Sequence, residues 1–216
     1  MKKAILFLVA LCSIWFLMAE EGIKLPPQMK DIALSKLLEG RESVRQFLAK
    51  PLSLSELSSL LWAGQGQKSS SKKRTAPSAG ALYPIELYVM CGDVSELKAG
   101  IYRYETVSHT LKLISAGDKR KALLEQNALR QDWVATAPVI ILISYVKSKT
   151  EGKYGERSLK YIAVEGGAVM QNLYLMAQSL GLGTCAVGGF DDEKVKKIFC
   201  LNEEEPLLLM PVGKTK

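Results

Sequence analysis

KYGERSLKYIAVEGGAVMQNLYLMAQSLGLGTCAVGGFDD, residues 153–192, joins a long apolar helix to a glycine stop and a glycine-tipped strand. Apolar or small residues recur every three or four positions through Leu159, Ile162, Gly166, Val169, Leu173, Ala177 and Leu180, the period of a helix. Glu165, Gln171, Asn172 and Gln178 interrupt the run too often for a membrane span, so the helix is expected to be enclosed by other protein. Gly181 and Gly183 supply the left-handed backbone on which helices end. Thr184–Val187 reads as a short strand, and Gly188-Gly189-Phe190-Asp191 continues it with no side chain at its tip. A flat cofactor could rest on such a backbone.

Working outward, strands and helices alternate irregularly. Leucines 34, 37 and 38 predict an inward-facing helix capped by Asp31 and closed by Gly40. Ser53 and Glu56 form a capping box ahead of Leu54, Leu57, Leu60 and Leu61. QGQKSSSKKR, residues 65–74, reads as a mobile polar loop. Strands are expected at Ile85–Cys91, at Ile101–Glu105 with Thr110–Ile114 as a hairpin, at Val139–Val146 and at Pro206–Val212. Lys119–Arg130 reads as a helix, and Asp191 or Asp192 caps a last short one. No βαβ rhythm is present, so the fold class is α+β: a mixed or antiparallel sheet wrapped by helices.

The 216 residues suit one domain, and 48% hydrophobic composition is enough for a full core. Lys2 and Lys3, an apolar run over residues 4–18 and Ala19 read as a signal peptide (1–19), with an uncleaved N-terminal anchor as the alternative. Residues 20–30, with Pro26-Pro27, read as a linker, leaving 31–216 as the domain. The expected location is therefore exported: periplasmic or cell-envelope. Removal of 1–19 would take the formal charge from +7 to +5. A basic balance without aromatic-interleaved basic stripes favours anionic small molecules or plain solubility over nucleic acid. Cys91 and Cys185 read as buried strand residues, with no metal-type spacing. The one histidine, His109, sits in a hairpin turn, which counts against Ser-His-Asp chemistry and against histidine-rich zinc sites. A bound cofactor would then carry any difficult step.

Three patches could meet such a cofactor. In GRESVRQF, residues 40–47, two guanidinium groups and a hydroxyl suit an anion, although arginines after a helix also serve its carbonyls. TAPSAGALYP, residues 75–84, can press small residues against a planar ligand, or be a plain turn. Lys160 and Tyr161 lie one turn ahead of Glu165, where they could move protons or simply snorkel and pack.

Jointly, RESVRQF, APSAGALYPIELYVM, GIYRYETVSHTLKLI, APVIILIS, the 153–192 segment and LLLMPVGK resemble the nitroreductase-like flavoprotein superfamily, most closely its SagB-type dehydrogenase branch. The resemblance covers about Leu38 to Lys214. It implies FMN held at the interface of an intertwined homodimer, acting on a small-molecule substrate. By motif position it implies Arg41, Ser43 and Arg45 as phosphate and flavin-edge contacts and Ser78, Ala79 and Gly80 as the loop beside the cofactor. Val187, Gly188 and Gly189 would lie along the ring, and Lys214 near the phosphate. Lys160, Tyr161 and Tyr83 would be the proton or substrate groups. Glu42 departs from the arginine or histidine of many relatives, and GKTK is shorter than their basic tail. Some members of the branch oxidise thiazolines and oxazolines in peptides with a lysine–tyrosine pair like Lys160–Tyr161. Export would count against that chemistry and would favour a membrane quinol or another redox partner over NAD(P)H. A flavin-binding or redox-sensing protein without turnover, and a fold-only structural protein, are the other readings.

Overall fold

The structure, a computed structural model, describes residues 33–216. Within it, residues up to Ser35 separate from a compact unit, Lys36–Lys216, which carries the sheet and everything discussed below. Six strands, β1 (Ile85–Cys91), β2 (Gly100–Glu105), β3 (Thr110–Ala116), β4 (Val139–Tyr145), β5 (Leu182–Thr184) and β6 (Glu205–Lys214), form one sheet in the order β3-β2-β1-β4-β6-β5. Every pairing of these strands is antiparallel.

β1 and β4 are the middle of the sheet because their sequences are apolar on both faces. Alternate residues of each strand feed two separate cores. Leu87, Val89, Ile141 and Ile143 point to one side, where helices α2 (Leu54–Gln65) and α5 (Ser158–Ser179) cover them. Tyr88, Met90, Ile140 and Leu142 point to the other, beneath Leu123 of the single-turn helix α3 (Ala122–Glu125) and Val195 of α6 (Asp192–Ile198). The two-residue period thus splits each strand between two hydrophobic layers. Each fully buried aliphatic side chain contributes about 1.5–3 kcal/mol, so these two strands anchor the domain.

Helix α2 begins at the expected capping box, with Ser53 Oγ accepting from Glu56 N–H at 3.1 Å and Glu56 accepting from Ser53 N–H at 2.7 Å. Helix α5 buries Ile162, Glu165, Gly166, Val169, Leu173 and Ala177 on one face and leaves Leu159 and Val164 exposed on the other. At Gly166 a Cβ would collide with the Leu207 side chain, so glycine there lets α5 lie close against β6.

Several expectations are corrected. No residue of α1 (Ala33–Gly40) is fully buried: Leu37 is partly buried, while Leu34 and Leu38 stay exposed, so only one of the three leucines faces inward; Asp31 lies outside the described residues. The helix expected over Lys119–Arg130 shrinks to α3, because Asn127 turns left-handed at φ 52°. The strand after α5 forms at Leu182–Thr184, with Val187 joined only by a bridge to Leu209. Helix α4 (Ser148–Tyr154), polar and containing Gly152, was not expected. The expected location, exported with an uncleaved N-terminal anchor as the alternative, is also corrected: among the described residues no helix is long and apolar enough to cross a membrane. The signal-peptide reading of residues 1–19 and the linker 20–30 lie outside the described residues. Cys91, Cys185 and Cys200 are all free, and burial pushes the Cys91 thiol up to about 11, which keeps it protonated and unreactive.

Candidate functional site

The residues singled out in the sequence fall into two groups, one toward each end of α5. The first group gathers where residues 41–48 run along the free edge of the sheet. Val44 N–H donates to Thr184 at 2.9 Å and Leu48 N–H to Lys214 at 2.9 Å. This approach requires small residues on the sheet. Gly183 and Gly213 face each other across β5 and β6; a Cβ on Gly183 would sit 2.7 Å from Val44, and one on Gly213 2.9 Å from Phe47.

Tyr174, on the buried side of α5, organises this edge. Its hydroxyl accepts from Ala186 N–H at 2.8 Å, which leaves its own proton for Ser43 Oγ, 3.0 Å away. The Arg41 guanidinium lies over the same ring, 5.2 Å from its centroid. Arg41, Glu42, Tyr174, Thr184 and Thr215 line a cleft of about 220 Å³. Thr184 Oγ1 is buried there without a hydrogen-bond partner. Among the described residues no carboxylate pairs with Arg41 or Arg45. Arg45 instead reaches over Trp133, 6.0 Å from its centroid. Gly188 and Gly189 are exposed, with no atom closer than 3.4 Å to a Cβ placed on either, whereas Val187 is buried in the second core. Lys214 is engaged: its Nζ is 2.7 Å from Glu56 Oε1, so it closes the start of α2. Burial alone would raise the Glu56 pKa, but the hydrogen bonds from Lys214 and Ser53 outweigh it and hold the carboxyl below its usual range.

The second group surrounds the loop at Ser78–Tyr83. Gly80, Ala81 and Tyr83 all take left-handed backbone, at φ 63°, 55° and 48°, which glycine adopts freely and the other two only under restraint. A buried polar chain supplies that restraint. Arg74 Nη1 donates to Gln65 Oε1 at 2.9 Å and to the Ile85 carbonyl at 3.1 Å, and its guanidinium stacks on Tyr83, 4.8 Å from the ring centroid. Gln65 in turn donates to Glu165 at 3.4 Å. Burial raises the Glu165 pKa, offset in part by hydrogen bonds from Ser78 and Gln65 and by the Arg74 charge. Ser78 Oγ also accepts from Tyr83 N–H at 2.9 Å, so this hydroxyl is occupied inside the loop.

Of the expected catalytic groups, Tyr83 belongs to this loop, Tyr161 packs its ring on Tyr154 at 4.5 Å, and Lys160 is exposed, with no hydrogen bond or ion pair among the described residues. No hydrogen bond, ion pair or ring contact among the described residues joins the two groups. Tyr161 and Tyr174 are thirteen positions apart on α5, about 20 Å along the axis. Sequence reasoning missed Tyr174 and Arg74. A tyrosine on an apolar face is the signal for the first, because a buried phenol requires a partner; Arg74, at the end of a polar loop, gave no signal of its own.

Residues 38–214 match the model of the nitroreductase family. A protein of Methanocaldococcus jannaschii described as "Putative nitroreductase MJ1384" is 41% identical over 188 residues, covering 87% of this chain and 94% of that protein. A crystal structure of a putative nitroreductase from Ralstonia eutropha superposes with a TM-score of 0.75 at 31% identity, over 89% of this chain and 88% of that one. The microcin B17-processing protein McbC of Escherichia coli is 25% identical over 149 residues, which are 66% of this chain and 55% of McbC. The chain belongs to the nitroreductase family.

Proposed function

We propose that this member of the nitroreductase family is an FMN-dependent oxidoreductase acting on a small molecule. The observation that carries the reading is the unsatisfied, positively charged edge at Arg41, Ser43 and Thr184. Buried hydroxyls ordinarily find partners, so an orphaned one in the same cleft as the Arg41 guanidinium, which pairs with no carboxylate among the described residues, suits an anionic, oxygen-rich ligand such as the phosphate end of FMN. Gly188 and Gly189 leave room for a flat ring close to the backbone.

Arg41 and Arg45 would hold the phosphate, with the proton of Ser43 left free by Tyr174. Lys214 could join them only by leaving Glu56. When bound, FMN supplies a ring that accepts two electrons as hydride from a donor and delivers them to an acceptor. The Ser78–Gly80 loop would border the ring through its backbone, and Tyr83 would present its hydroxyl to the substrate side. With export no longer part of the reading, its argument for a quinol or membrane partner falls away, and a reduced nicotinamide is the donor to test.

We also propose an intertwined homodimer. The cleft of about 220 Å³ is smaller than typical ligand pockets of roughly 300–1,000 Å³, and the two residue groups lie toward opposite ends of α5. A second copy could supply one group against the other. Leu38, Trp62, Leu159 and Val164 remain exposed on α1, α2 and the outer face of α5, the apolar surface such a partner would cover.

The visible spectrum of the purified protein before and after FMN addition tests the reading; a colourless protein that takes up no FMN would sink it. Arg41→Ala should weaken FMN binding by about 1.5–3 kcal/mol in a fluorescence titration, the value of a charged hydrogen bond. Unchanged affinity would remove Arg41 from the site. Azoline oxidation in a peptide, within a SagB-type branch, is a second reading supported by the similarity to McbC and by the Lys160–Tyr161 pair. It requires that activity on an azoline peptide be lost when either residue is changed.

A further inference from the structure

Between α2 and the β2–β3 hairpin lies a pocket of about 320 Å³ that shares no residue with either group around α5. Its wall is leucine: Leu54, Leu57 and Leu61 from α2, Leu97 from the turn before β2 and Leu111 from β3. Leu57 and Leu61 are fixed in the first core, and Leu97 and Leu111 pack against it, so the floor belongs to the folded interior. Among the described residues no Asp, Glu, Lys or Arg lines it. An uncharged concave wall of this size, within the roughly 300–1,000 Å³ of ligand pockets, suits a neutral small molecule.

One polar chain crosses the rim. His109, the single histidine, turns left-handed at φ 52° in the hairpin and sets its ring at right angles to that of Tyr104, 5.6 Å between centroids. Its Nδ1 is 2.7 Å from the Tyr104 hydroxyl and its Nε2 is 2.8 Å from Ser58 Oγ. Each hydroxyl carries one hydrogen and a neutral imidazole ring carries another, and only two contacts use them. One hydroxyl proton is therefore left over at one end of the chain. Tyr104 is buried, and burial pushes its phenol up to about 12, so it keeps its proton and has to place it on an interior acceptor. The phenol then donates to Nδ1, Nε2–H donates to Ser58 Oγ, and the Ser58 O–H is the spare donor. Among the described residues neither Ser58 nor Tyr104 makes another side-chain hydrogen bond.

We propose that this pocket is a ligand site, separate from the edge at Tyr174, that takes a neutral ketone or alcohol with an apolar body of about one or two rings. The leucine wall holds the body and Ser58 Oγ donates to the ligand oxygen. His109 and Tyr104 are positioning residues that aim that donor. The size follows from the volume: a cavity of about 150 Å³ lined by such side chains accepts benzene, so about twice that volume accepts a ring with its substituents. A carboxylate is disfavoured, because the wall offers no cation and nothing to replace the water it would shed. A hydrocarbon fits the wall but leaves the spare proton unpaired. None of this depends on FMN.

The test titrates the full chain, labelled at its leucine methyl groups, with acetophenone, toluene and benzoate and follows the methyl resonances by NMR. Acetophenone and toluene should shift the methyls of Leu57, Leu61, Leu97 and Leu111, acetophenone with the higher affinity, and benzoate should leave them in place. Ser58→Ala should lose about fivefold in acetophenone affinity, the value of one neutral hydrogen bond, and keep its toluene affinity within about twofold. Ser58→Thr, which retains the hydroxyl, should restore acetophenone binding. The proposal is overturned if no probe moves these methyls or if benzoate binds as tightly as acetophenone. It is equally overturned if Ser58→Ala changes both neutral probes alike or neither. Shifts confined to other leucines, or accompanied by a change in the visible spectrum of bound flavin, would place the probe elsewhere and also overturn it.

Discussion

The two ends of α5 solve opposite problems. Around Tyr174 the structure leaves polar groups unfinished: among the described residues Thr184 Oγ1 has no partner, and Arg41 and Arg45 pair with no carboxylate. Around Glu165 everything polar is closed on itself, from Arg74 through Gln65 and Glu165 to Ser78. An open arrangement costs stability until a ligand completes it, while a closed one spends its hydrogen bonds on holding a strained loop in place. The first end is suited to gripping, the second to framing.

That contrast predicts where stability and ligand binding part company. The largest stability effect should come from Glu165→Ala, which leaves the buried Gln65 amide without its acceptor and removes the carboxylate that Ser78 bonds; urea unfolding should show a loss of about 1–3 kcal/mol. Glu165→Gln should lose clearly less. An equal loss in both would mean that charge, not shape, sustains the loop. At the other end Tyr174→Phe leaves Ser43 Oγ and Ala186 N–H without their shared partner. It should cost about 1–2 kcal/mol by the same measurement and loosen FMN as well, because the donor set at the edge is no longer aligned. If Glu165→Gln loosened FMN more than Tyr174→Phe did, the division into gripping and framing ends would be broken.

The smallest effect is one of pH, and its sign differs between the two regions. Glu165 is raised by burial, so the folded chain holds that proton more tightly than the unfolded one. Its contribution to stability is full below the ordinary glutamate value of 4.5 and is lost as pH rises through the raised value. Glu56, which burial would raise, is lowered overall by Lys214 and Ser53. Its contribution is present above 4.5 and is lost as pH falls through the lowered value. Unfolding curves measured across this range should therefore show Glu165→Gln gaining on wild type as pH rises, and the deficit of Glu56→Gln shrinking as pH falls. Parallel curves for the two variants would remove the contrast.

The sequence was most readable where a structural decision is local. Ser53 and Glu56 announce α2 because both halves of the capping box lie within one turn, and the apolar runs of β1 and β4 announce central strands because both faces must be buried. The Gly188-Gly189 tip could be located for the same reason. Tyr174 and Arg74 could not, because their meaning depends on partners 131 and 9 positions away. Lys214 shows the reverse case. Its place near the C-terminus suggested a ligand contact, but Glu56, distant in sequence, is 2.7 Å away. Helix α4 escaped notice because Gly152 and its charged neighbours carry no helical period.

The close seat of Gly166 on β6 also makes α5 a ruler. That glycine, next to Glu165, seats the framing end of the helix against Leu207, and the gripping end at Tyr174 lies about two helical turns further along the same rigid axis. One residue inserted between Glu165 and Tyr174 would push the ends apart by about 1.5 Å and rotate one against the other by about 100°. The surface loops can change length and remain compatible with the site, but the span from Glu165 to Tyr174 cannot.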